Sequence, residues 1–162
     1  MRRMNQTFIK KGFTLVELIV VIAIIGLLST LAVLALNSAR EKSRDARRVA
    51  IARQVQIALE LYYADQNSYP TIASPGVVLG AGNQQALCSN GGWKAACAGG
   101  DTTYMAAIPT APTPADGSCT ASQNGFTYTS VSGTSYALGF CLGSEVGTLK
   151  AGARTADQNG IQ

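Results

Sequence analysis

Between Leu18 and Ala39 the chain runs for 22 residues without a charged side chain, and no other feature limits its fold so tightly. A helix rising about 1.5 Å per residue needs about 20 such residues to cross a bilayer core, so this segment is long enough to span a membrane. Glu17 stands at its edge, the fifth residue of an apolar block that opens at Phe13. A charged side chain near the bilayer centre costs about 2.5 to 3.5 kcal/mol on insertion scales, which marks Glu17 as a functional candidate in need of a partner. The rest of the chain offers no obvious partner by position.

The span leaves room for one further domain and not for two. Charge is distributed unevenly: Arg2, Arg3, Lys10 and Lys11 precede the span with no acid among them and hold the whole net charge of +4. A basic balance confined to a leader is a poor argument for a nucleic-acid partner, and DNA binding has no aromatic interleaving to support it. Cys88, Cys97, Cys119 and Cys141 all follow the span, histidine is absent and no C-x-x-C pair occurs, so neither a mixed Cys/His zinc site nor an all-cysteine one is expected. Four cysteines in a small domain beyond a membrane segment read instead as two disulfides in an oxidising compartment. Of the three pairings, closeness in sequence favours Cys88 with Cys97 and Cys119 with Cys141.

Residues 1–12 look like the n-region of an export signal, but a secretory h-region is about 7 to 15 residues long and this apolar block is about twice that. Counting positive charges leaves the orientation open, because Arg40, Lys42, Arg44, Arg47 and Arg48 follow the span. The cysteines decide it, placing the N-terminus in the cytoplasm and the C-terminal side outside. From Asn37 to Asn67 there is neither Pro nor Gly, and Ile51, Val55, Ala58, Leu59 and Tyr62 recur at helical spacing. The predicted helix runs from Phe13 to Asp65, on the order of 80 Å, more than a small domain can cover. Within it, Glu41 and Asp45 stand three residues before Arg44 and Arg48, which reads as a solvated segment laced with weak ion pairs, with contact to lipid headgroups or acidic neighbours as the alternative.

Ser68-Tyr69-Pro70 ends the helix. Residues 70–124, rich in Gly, Ala, Ser, Thr and Pro, read as loops that need cross-links. Residues 125–131 and 135–142 alternate at period two around Ser132-Gly133-Thr134 and predict an antiparallel hairpin, with Phe126, Tyr128, Tyr136, Leu138 and Phe140 facing the Ile51/Val55/Leu59 stripe. The tail from Gly143 reads mostly as loop with one short strand near Thr148–Ala151. The expected class is α+β: a long N-terminal helix against a small antiparallel sheet with disulfide-braced loops.

Nothing reads as catalytic. A histidine base is absent, and Asp101, Asp116, Glu145 and Asp157 are scattered. Gly80-Ala81-Gly82 lacks the third glycine of a phosphate loop and reads as a turn. The one glycosylation sequon, Asn5-Gln6-Thr7, falls in the basic leader. An enzyme is not expected, nor any cofactor.

Lys11-Gly12-Phe13-Thr14-Leu15-Val16-Glu17-Leu18 resembles the processing site of type IV pilins and pseudopilins: a short basic leader ending in Gly, then Phe-Thr-Leu-x-Glu and a long apolar helix. The resemblance covers about residues 8–36 and extends loosely to Tyr69-Pro70. It implies that a membrane-embedded prepilin peptidase cuts between Gly12 and Phe13 and methylates the new Phe13 amine. It further implies an inner-membrane assembly platform and a homopolymer packed through its helices, for which adhesion and motility are the expected roles. Carried over by position, Glu17 pairs with the Phe13 amine of a neighbouring copy and sets register. The chain departs from many pilins in having Gly26 but no proline between Phe13 and Tyr69, and it lacks the clustered acids of the major secretion pseudopilin's calcium loop.

The expected organisation is a cleaved leader at 1–12, an apolar transmembrane and filament-core helix at 13–36, its amphipathic continuation at 37–67 and a small β-containing extracellular domain at 68–162. The expected protein is most like a major pilin, held in the cytoplasmic membrane with lipid as its partner until it enters an extracellular filament. The alternatives are a pseudopilin of a type II secretion or DNA-uptake machine, and a single-pass membrane-anchored binding domain.

Overall fold

A computed structural model describes residues 12–162. The leader residues before Gly12, and with them the Asn5 sequon, lie outside the described residues. The chain divides into two compact units, one ending at Ser38 and one starting at Ala39.

The first unit is the apolar part of helix α1, Leu15–Gln66. Every residue from Gly12 to Arg40 is exposed, and this is the one helix among the described residues long and apolar enough to cross a membrane. Gly26 lies within the helix without interrupting it. The hydroxyls of Ser29 and Thr30 donate to the backbone carbonyls of Ile25 and Leu27, at 2.7 and 2.8 Å. Such back-bonding leaves no free hydroxyl on the apolar surface.

In the second unit α1 becomes one-sided. Val49, Ile51, Ala52, Val55, Ala58, Leu59 and Tyr62 are buried, the stripe that period 3.6 predicts. The helix closes at Asn67, whose φ of 54° and N–H bond to the Tyr63 carbonyl make a left-handed cap. Five strands follow in one antiparallel sheet, in the order β1 (Ile72–Leu79), β5 (Phe126–Ser130), β6 (Ala137–Leu142), β7 (Gly152–Asp157) and β8 (Gly160–Ile161). A smaller three-stranded sheet has β2 (Ala86–Cys88) between β3 (Gly92–Lys94) and β4 (Thr103–Met105). The predicted hairpin is β5–β6, with Tyr128 opposite Leu138 and Leu138 opposite Ala156 of β7. Residues directly opposite share a face, and this row faces the core together with Phe126, Tyr136, Phe140 and the α1 stripe. The α+β class read from the sequence is the class observed.

Three local expectations are corrected. Residues 70–124 are not all loop: β1 occupies eight of them as an edge strand, where Pro75 is tolerated because the missing N–H costs no ladder bond. Gly76, at φ 91°, sits where a Cβ would collide with the Thr129 side chain and the Tyr128 carbonyl. The tail carries β7 and β8 rather than a strand at 148–151, where Val146 and Leu149 form an isolated bridge. Gly-Ala-Arg-Thr-Ala-Asp has little intrinsic strand preference; pairing with β6 imposes it.

The arginine-rich turns are the third correction. Asp45 and Arg48 are 0% and 1% exposed, not solvated. Arg48 donates to Asp45 at 2.7 Å, Asp116 at 2.9 Å, the carbonyls of Pro112 and Pro114 at 2.8 Å each, and Asn124 Oδ1 at 2.7 Å. Asp45 also accepts from the Gly143 N–H and from the N–H and hydroxyl of Ser144. Arg44 makes a two-pronged pair with Asp116. The Asp45–Arg48 pair is therefore real, but loop 112–116 and the turn after β6 cover it. Two disulfides brace the loops, Cys88–Cys97 and Cys119–Cys141.

Candidate processing and assembly site

Gly12, Phe13 and Thr14 precede the helix and are all exposed, Phe13 at 85%. Nothing lies within 4 Å of the position a Gly12 Cβ would take. The Gly12–Phe13 peptide bond therefore sits in accessible, non-helical backbone just before α1, the state in which a protease meets a chain.

Thr14 is the helix N-cap. Its hydroxyl oxygen accepts from the Glu17 N–H at 3.2 Å, while the Glu17 carboxylate accepts from the Thr14 N–H and hydroxyl, each at 2.8 Å. This is a capping box, in which two end groups of the helix satisfy one another. A carboxylate in the first turn also faces the positive end of the helix dipole. Glu17 thus has a partner within its own chain, contrary to the expectation from position alone. The sequence carries the signal as Thr-x-x-Glu before an apolar run, a local pattern that the position of Glu17 at the edge of the span overshadows.

The remaining acids are not gathered. Asp116 belongs to the arginine cluster, Asp101 lies 3.6 Å from Lys94 and Asp157 accepts from the Asn159 N–H in its own turn. Gly80-Ala81-Gly82 is a turn closed by bonds between Gly80 and Gln84 and between Gln84 and Ala81. Among the described residues no group of three His, Cys, Asp or Glu stands together as a metal site.

Residues 9–33 match the family model of the prokaryotic N-terminal methylation motif. The chain carries this motif. It marks type IV pilin-like and pseudopilin proteins, and it covers Gly12, Phe13, Thr14 and Glu17 together with the apolar helix up to Val33. No curated protein and no solved structure matches the chain, so the motif alone carries the relationship. In the motif's own terms, the capping box fixes where the helix starts, two residues after the Gly12–Phe13 bond.

Proposed function

We propose that the protein is a structural subunit of an extracellular type IV pilus-like filament, processed between Gly12 and Phe13 and assembled through α1. The observation that carries this reading is the methylation motif at residues 9–33 joined to a continuous helix whose apolar part is exposed on all sides. So much exposed apolar surface needs lipid or other copies of the chain to cover it. In this reading the prepilin peptidase cuts after Gly12 and methylates Phe13, and the precursor waits in the cytoplasmic membrane with its N-terminus inside. An assembly platform then moves it into a homopolymer.

Cleavage leaves the Phe13–Thr14 peptide intact, so the Thr14 N–H that Glu17 accepts survives processing. The new ammonium appears one residue upstream. In a filament, Glu17 meets the Phe13 amine of a neighbouring copy, and the low dielectric strengthens that attraction although desolvation offsets much of it. Glu17 therefore sets register more than it adds stability.

Mass spectrometry of the exported protein tests the reading. The expected N-terminal peptide begins at methylated Phe13, and an intact segment from Arg2 to Lys11 would instead favour a permanently anchored domain. A pseudopilin would carry the same N-terminus and differ in forming only short, sparse filaments by electron microscopy.

A further inference from the structure

Between residues 40 and 48 five basic residues follow the apolar span, and the fold divides them into two kinds. Arg44 and Arg48 are engaged with Asp116 and Asp45. Arg40, Lys42 and Arg47 are exposed and belong to no ion pair among the described residues. Counted along α1 from Ala39, where the uncharged run ends, Arg40 lies about 1.5 Å on, Lys42 about 4.5 Å and Arg47 about 12 Å. The headgroup layer on each side of a bilayer core is about 5 to 8 Å deep. The flexible stems of Arg40 and Lys42 lie within it, while Arg47 lies beyond it.

We propose that Arg40 and Lys42 hold anionic phospholipid headgroups at the outer face of the membrane while the precursor is still embedded. The proposal rests on the reading of Leu18–Ala39 as a membrane span. Its distinguishing observation is angular: residues two apart on a helix lie about 200° from one another, so Arg40 and Lys42 point to opposite sides. A single neighbouring chain meets one side of a helix; an annulus of lipid meets both. Glu41, the acid between them, is half-buried, and its negative charge favours Arg44, so it does not cancel either exposed cation from the lipid side. Leaving the membrane for a filament strips these headgroups, which makes extraction sensitive to the anionic lipid content.

The test uses the full precursor in phosphatidylcholine vesicles containing a minor share of phosphatidylglycerol, with spin-labelled forms of both lipids as probes. The wild type is expected to prefer phosphatidylglycerol. Arg40→Gln/Lys42→Gln should lower that preference by about fivefold or more, on the usual worth of a cation at an anionic surface. Arg40→Lys should retain the preference, Arg47→Gln should change it by less than about twofold, and high salt should weaken it. Neutralising Arg2, Arg3, Lys10 and Lys11 should leave the Arg40/Lys42 increment in place. A double variant that inserts normally and keeps its preference overturns the proposal. Unchanged lipid preference with lost self-association also overturns it and assigns the cations to a second copy. Failure of the wild type to insert in phosphatidylcholine alone overturns the span reading itself, and with it this assignment.

Discussion

At the scale of single residues, one substitution separates the observed capping role of Glu17 from its proposed role as charge partner of Phe13. The capping box needs an acceptor at position 17 and accepts Gln as well as Glu, whereas pairing with a Phe13 ammonium needs a full charge. Glu17→Gln is therefore expected to keep the whole capping box, and Glu17→Ala to lose the half that its carboxylate supplies while the N–H of residue 17 still donates to the Thr14 hydroxyl. If charge sets register, both variants remain in the membrane at normal levels and both form few filaments by electron microscopy. Wild-type filament yield from Glu17→Gln would show that the cap is what assembly requires. The Thr14 cap is written in a local pattern, Thr-x-x-Glu, that the charge of Glu17 overshadows. The other copy's Phe13, by contrast, enters only through the resemblance.

At the scale of elements, the contact between α1 and loop 112–116 depends on a buried ionic cluster. The Asp116 carboxyl is held below the ordinary aspartate range, chiefly by its hydrogen bond from Arg44 and further by Arg48, against the opposing effect of burial. A carboxyl lowered on folding contributes stability that is fully present above its unfolded value near 3.8. That contribution is lost as pH falls through the lower folded value. Asp116→Asn removes one of the two carboxylates that the buried Arg48 contacts, leaving Asp45, and is expected to cost about 1.5 to 3 kcal/mol near neutral pH, measured by denaturant unfolding. The variant's unfolding free energy should fall less steeply than the wild type's below about pH 4.

Legibility varied between elements for physical reasons. The β5–β6 hairpin was readable because Phe126, Tyr128, Leu138 and Phe140 alternate with small or polar residues, a pattern generated within the strand. The covered face of the arginine turns was not, because Asp45 and Arg48 keep the same three-residue spacing whether water or a loop lies over them. What lies over them is Pro112–Asp116, some 65 residues on, and nothing near Arg48 announces it. Strand β7 was hidden similarly, since of its side chains only Ala156 is buried.

At the scale of the whole molecule, both covalent braces are local. Cys88–Cys97 closes a span of 9 residues and Cys119–Cys141 a span of 22. Each stabilises by about 3 kcal/mol in the chain-entropy picture. Alkylation of the unreduced protein should label no cysteine, and Cys119→Ala/Cys141→Ala should lower the unfolding free energy by about that amount in denaturant titrations. Helix content by circular dichroism should hold in that variant at low denaturant, since α1 shares no disulfide with the rest of the chain.

That last point has a mechanical side. Within the unit from Ala39 on, the sheet is joined to the helix stripe by apolar packing and the Arg44/Asp45/Arg48/Asp116 cluster, and by no covalent bond other than the chain itself. In a filament held through its helices, a pull on the outer domain would load that contact in shear, and the ionic cluster would act as the catch that yields first in acid.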